Sequence, residues 1–192
     1  MTKLTVISPP AEEPVSLTSA KAFLRIGHDG EDPLIADLIV SARARIEQES
    51  GLALVRQEVR LAWPRWPASL AGRGVLLPKR PVTSLVSVLV MDEPDTFTDH
   101  TGRFRLDCGR LALRPWSQAP AILPDGSAQI TFETGFGTAA DVPSDLQEAC
   151  LRLMAALYAA RRTETGSSSG SASHGLPEPV QSILNARREV RL

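Results

Sequence analysis

The chain has 192 residues, 43% hydrophobic and 22% charged, with a formal net charge of -1. That length supports one domain with a real core and an appendage, and the near-neutral balance gives no global reason to expect nucleic-acid or membrane-surface binding. No apolar run approaches the roughly 20 residues of a membrane span, and MTKLTVISPPAEEP lacks the sustained apolar stretch expected of a signal peptide.

Residues 1–15 read as an extended lead-in, because Pro9, Pro10 and Pro14 forbid a helix. Ser16 then stands where a side-chain oxygen caps a short helix near 17–26. After an acidic turn, Asp32 is a candidate N-cap with Pro33 at the first helical position. Ile35, Leu38, Ile39, Ala42 and Ile46 recur at helical spacing over 33–50, and Gly51 is the expected left-handed stop.

From Leu52 the pattern turns to strand. Val59, Leu61 and Trp63 alternate with Glu58, Arg60 and Ala62, a half-buried strand ending at Pro64. Trp63 and Trp66, set between prolines, suit either an exposed contact or a lid over the core. Residues 81–91 form the most β-prone run and predict a central or covered strand. Asp92 to Gly102 reads as a polar turn, 104–113 as a hairpin around Cys108-Gly109, and 129–134 as another alternating strand closing at Gly135-Phe136-Gly137.

Helix returns near 144–162. Ser144 with Gln147 matches a capping box, and Leu146, Cys150, Leu153 and Leu157 make an apolar stripe. A Gly/Ser linker follows at 163–175, then a tail whose Val180, Ile183, Leu184 and Val190 offer a weak apolar face beside Arg187, Arg188 and Arg191. The fold class expected is α+β: a helical layer (16–51 and 141–162), an antiparallel β-rich insertion at about 57–134 within 55–137, and a C-terminal tail helix. The corresponding domains are a core at 1–162, the linker, and an amphipathic segment at 176–192.

Catalytic signals are weak. Asp92, Glu93, Asp95 and Asp99 lie near His100, but without the glycine-centred spacing of a calcium loop. His28 beside Asp29, Glu31 and Asp32 reads as a solvated turn. Cys108 and Cys150 read as reduced thiols, and no CxxC or close Cys/His pair is present for zinc. There is no nucleophile elbow, P-loop or dinucleotide fingerprint, so no catalytic, cofactor or metal residues are assigned.

The order of SLTSAKAFLRI, DGEDPLIADLIVSARARIEQESGLAL, LPKRPVTSLVSVLVMD, ITFETGFG and VPSDLQEACLRLMAALYAAR, covering most of 15–162, resembles the gp6-like head–tail connectors, or adaptors, of long-tailed double-stranded DNA phages and gene-transfer particles. Ser19 stands where that family pattern would place an acid in the first capping box. The resemblance implies a structural protein at the head–tail junction of a virion or phage-like particle. It implies a homo-oligomeric ring, commonly twelve-fold, beneath the portal protein. Such a ring extends the DNA channel, docks a downstream neck or tail-completion protein, and passes double-stranded DNA without gripping it; no membrane is involved. In that scheme Leu176, Val180, Ile183, Leu184, Arg187 and Arg188 contact the portal. Two rivals remain: a small metal-dependent enzyme using the acidic turn and His100, and a nucleic-acid-binding module acting through the basic tail.

Overall fold

The computed structural model describes residues 2–94, 96–164 and 176–187, with the side chains of 162–164 left aside. It is of α+β class, with four helices and two antiparallel sheets among the described residues. The chain separates into two compact units, one of Met1–Ala11 with Arg56–Gly135 and one of Glu12–Val55 with Phe136–Leu192.

The helical unit holds α1 (Leu17–Leu24), α2 (Asp32–Ser50), α3 (Ser144–Glu164) and α4 (Glu178–Ala186). Ser16 caps α1 as expected, its Oγ accepting from the Ser19 N–H at 3.1 Å. The helix stops at Leu24, two residues short of the expected end, because Arg25 turns left-handed with φ 58°. At α2 the N-cap position belongs to Glu31, not Asp32. Asp32 is already helical, and it pairs with Lys21 Nζ at 2.7 Å. Gly51 is the left-handed stop, φ 69°, its N–H returning to the Glu47 carbonyl. The capping box also moves: it lies at Thr138 and Asp141, around a single 3₁₀ turn, while Gln147 Nε2 donates to the Ala139 and Val142 carbonyls.

Ile35, Ile39, Ala42 and Ile46 of α2 meet Leu146, Ala149, Cys150 and Leu153 of α3 in one buried core. The large aliphatic side chains among these each contribute about 1.5–3 kcal/mol relative to exposure. Glu47 sits 3% exposed inside this unit, and its Oε1 accepts from the Leu54 N–H at 3.0 Å. Arg43 supplies the neighbouring charge, 3.6 Å from Glu47 and 2.7 Å from Glu13, so the buried carboxylate is compensated.

The β unit holds eight strands: β1 (Lys3–Ser8), β2 (Gln57–Trp63), β3 (Val75–Leu76), β4 (Val82–Glu93), β5 (Thr96–Asp99), β6 (Phe104–Asp107), β7 (Arg110–Leu113) and β8 (Ala128–Thr134). They form a five-stranded sheet in the order β1-β2-β8-β4-β5 and a three-stranded sheet in the order β3-β7-β6. Val59, Leu61 and Trp63 alternate inward along β2 as the sequence pattern requires, and meet Ile130, Phe132, Val88, Phe104 and Leu111 in a second core. β4 is an inner strand between β8 and β5. The tryptophans resolve as a lid: Trp66 stacks edge-on against Trp63, lies 5.3 Å from Phe104, and donates to the Pro120 carbonyl at 2.7 Å.

The turn at Cys108-Gly109 has φ 46° and 74°, the double positive φ that a two-residue hairpin loop demands. Two strands depart from expectation. Residues 3–8 of the lead-in pair with β2, so the β unit is not a single inserted segment. Residues 96–99 of the polar turn pair back onto β4. α3 runs to Glu164, two residues into the segment read as linker; residues 165–175 lie outside the described residues.

Candidate interface surfaces

The tail residues come together on one helix. Glu178 and Pro179 open α4, where proline's missing N–H has no intrahelical acceptor to lose. Val180 and Leu184, four apart and so on one face, are 0% and 6% exposed in the helical core, with Leu176 and Ile183 partly buried against it. Just beyond the helix, Arg187 grips Asp145 with two bonds, Nε to Oδ2 at 2.6 Å and Nη2 to Oδ1 at 2.7 Å. The Arg187 hydrogen bonds hold the Asp145 carboxyl below the ordinary carboxylate range, and Asp145 in turn raises the guanidinium. Arg188 lies outside the described residues, as do Arg191 and Val190. Residues 178–186 of the tail thus form a docked helix, with Val180 and Leu184 covered by its own unit.

The acidic turn near His100 is a hairpin fastener. Asp92 accepts from Thr98 Oγ1 at 2.7 Å and lies 2.8 Å from His100 Nε2. The bond from Thr98, then that from His100, lowers the Asp92 carboxyl. Thr101 donates its backbone N–H to Asp99 at 2.8 Å, and its hydroxyl bonds the same carboxylate, lowering Asp99 too. Thr101 Oγ1 also accepts from the Val88 N–H at 2.8 Å. These bonds tie β5 and the following turn to β4. Among the described residues, no group of three or more His, Cys, Asp or Glu side chains is placed to hold a metal ion. His28 borders a depression of about 490 Å³ with Arg25, Glu31, Tyr158 and Arg161, in which Tyr158 Oη donates to Glu31. His174 lies outside the described residues.

Features that pattern reading did not single out lie in the β unit. A groove of about 710 Å³ runs past Trp66, Arg105 and Arg114 to Trp116, whose indole is wholly exposed on a left-handed backbone, φ 66°. Among the described residues the five-stranded sheet has two open edges, and every residue of β1 and β5 is exposed. Strand length signalled neither edge, because both are short. Only the apolar alternation Leu4, Val6 could have flagged β1.

No family model and no curated protein matches the sequence. Among solved structures, a chain in the neck of an empty gene transfer agent particle, computed with C6 symmetry, superposes with TM-score 0.79 at 24% identity, over 99% of this chain and 97% of that one. A chain of the virion of the native gene transfer agent particle gives TM-score 0.79 at 23% identity, covering 98% and 96%. A chain in the neck of the native particle, computed with C12 symmetry, gives TM-score 0.72 at 25% identity, covering 99% and 97%. The α+β architecture is thus one shared with chains of gene transfer agent particles. More particularly, the chain has the fold of proteins found in gene transfer agent necks, and the resemblance to head–tail connectors holds across its whole length at the level of the fold.

Proposed function

We propose that this chain is a non-enzymatic structural subunit of a head–tail neck, located at the head–tail junction of a phage or gene-transfer particle. Its subunits form a homo-oligomeric ring under the portal, extend the DNA channel and dock the next neck or tail-completion protein. The observation that carries this reading is the near-complete superposition on neck chains, one of them from an assembly computed with C12 symmetry. A ring of identical copies needs two different complementary faces per subunit, and a channel that passes DNA is best left without retained phosphate contacts. The net charge of -1 agrees with that requirement.

In this proposal the core is residues 1–162, a helical layer with a β-rich segment. Residues 163–175 are the tether, and 176–192 anchor the ring to the portal through Leu176, Val180, Ile183, Leu184, Arg187 and Arg188. Val180 and Leu184 are covered by the helical unit in the single chain, so portal engagement through them requires α4 to leave that site. Contacts with the portal must offset the lost burial, about 1.5–3 kcal/mol for each of these side chains. Repetition around a ring makes each added engagement effectively intramolecular, which favours the exchange.

The test is a truncation after Gly175. The shortened chain is expected to stay folded and to lose co-sedimentation with its cognate portal. Portal attachment at the full-length level would overturn the anchor assignment.

A further inference from the structure

The groove beside Trp116 presents an aromatic side chain at a conformational cost. Arg114 to Ser117 make a tight turn, closed by the Ser117 N–H on the Arg114 carbonyl at 3.1 Å, with Pro115 second and Trp116 third. The third position has φ 66°, where glycine or asparagine is the favoured residue. The indole is wholly exposed, so no packing within the chain offsets the strain of a tryptophan there. The loop is braced on both sides. The Arg114 N–H donates to the Arg103 carbonyl at 2.9 Å, and Trp66 Nε1 to the Pro120 carbonyl at 2.7 Å. An exposed tryptophan held beside arginines has the composition of a binding hot spot.

Charge says what the groove takes. Its lining includes Arg105 and Arg114 and no aspartate or glutamate. Arg105 meets Asp107 at 3.2 Å, but these side chains are 48% and 53% exposed, so the pair holds the guanidinium weakly. The groove suits an acidic segment that carries an apolar anchor for Trp116.

Such a segment lies on the same unit. Residues 92–99, DEPDTFTD, carry four carboxylates and no lysine or arginine. β4 outruns β8: its last partner there is Ala128, opposite Val90, while pairing with β5 continues to Glu93 opposite Thr96. Met91 still bonds Leu123 and Ser127, but Glu93 stands two residues further out, about 7 Å along the strand. Glu93 and Phe97 are both exposed, and Asp92 with Thr98 and His100 keeps the hairpin closed. Among the described residues, none of 92–99 lines the groove of its own chain.

A projecting acidic hairpin and a recessed basic groove are different faces of one chain, so their contact between copies is heterologous and repeats. We infer that the β4–β5 hairpin of one copy seats in the Trp116 groove of the next, Phe97 against the indole and Glu93 toward Arg105 and Arg114. The contact deepens the neck reading by naming a joint between subunits, and it rests on that reading for closure into a ring.

The test exchanges the charges. Light scattering follows assembly of the purified full-length chain as its concentration rises. Arg105→Glu alone and Glu93→Arg alone should each raise the concentration for half-assembly about tenfold, since like charges then face each other. Mixed in equal amounts, the two should assemble as the parent does, because alternating copies restore opposite charges at every joint. Recovery in the mixture also shows that both variants fold. Trp116→Ala should raise the half-assembly concentration about thirtyfold while the urea midpoint of unfolding holds, because the indole packs on nothing in its own chain. Parent-level assembly of either charge reversal or of Trp116→Ala, a mixture that does not recover, or a parent that stays monomeric at every concentration would each overturn the hairpin–groove contact. Portal co-sedimentation of the unaltered chain is scored separately, so loss of this joint and loss of the neck reading give different outcomes.

Discussion

The N-terminal strand and the C-terminal helix treat their apolar residues in opposite ways. α4 turns Val180 and Leu184 into a core and fastens its end with Arg187 on Asp145. β1 lines Leu4 and Val6 up with buried neighbours and leaves both uncovered. One terminal element is already partnered within its own unit, while the other retains a free hydrogen-bonding edge. A surface that is satisfied in the single chain must be released before it can bind, whereas an open edge is already accessible.

The contrast is broken most forcefully at Val180. Val180→Asp places an uncompensated charge in the helical core, at a cost of about 3 kcal/mol. α4 should detach, and backbone amides of 180–186 should exchange about a hundredfold faster while those of α2 keep their protection. Unchanged exchange in α4 would mean that the helix is not held by this contact. The matching change at the other end, Val6→Asp, should alter unfolding free energy by under about 1 kcal/mol in urea, because the side chain is already half-exposed. A large loss of stability would mean that β1 is held as firmly as α4, and would erase the difference between the two ends.

A smaller effect sharpens the account of α4. Because Arg187 lowers the Asp145 carboxyl, the pair's contribution is complete above the unfolded value near 3.8 and is lost as pH falls through the lower folded value. The Asp145 side chain is 41% exposed, so the loss is only about 0.5 kcal/mol. Asp145→Asn should remove that part of the pH dependence in urea titrations between pH 5 and about 2, within the ordinary carboxylate range. The smallest effect is in the thiols. Burial pushes the Cys150 thiol up to about 12, while Cys108 is exposed, so Ellman's reagent should label one thiol in the native chain and two in denaturant.

Much of the fold was legible because its signals are local. The Ser16 cap, the Gly51 stop, the β2 alternation and the Cys108-Gly109 turn each depend on a few adjacent residues and φ preferences. The errors were non-local. β1 pairs with β2 far along the chain, Lys3 with Ala62 and Ser8 with Glu58, and nothing within KLTVIS announces that partner. β5 is a strand only because β4 extends far enough to receive it and because Asp92, Thr98 and His100 close the hairpin. The Asp32 cap failed by one position because Lys21, distant in sequence but near in space, claims its carboxylate. Of the candidate interface residues, the apolar spacing of α4 was readable, but its docking on the helical unit was not. The strand order β1-β2-β8-β4-β5 likewise depends on pairings between distant segments and is invisible to any window along the chain.

The neck assignment is tested most directly by the mass of the purified full-length chain, alone and mixed with its cognate portal, by native mass spectrometry. The account predicts a closed ring, or a monomer that joins the portal in many copies. A chain that remains monomeric and ignores the portal would contradict it.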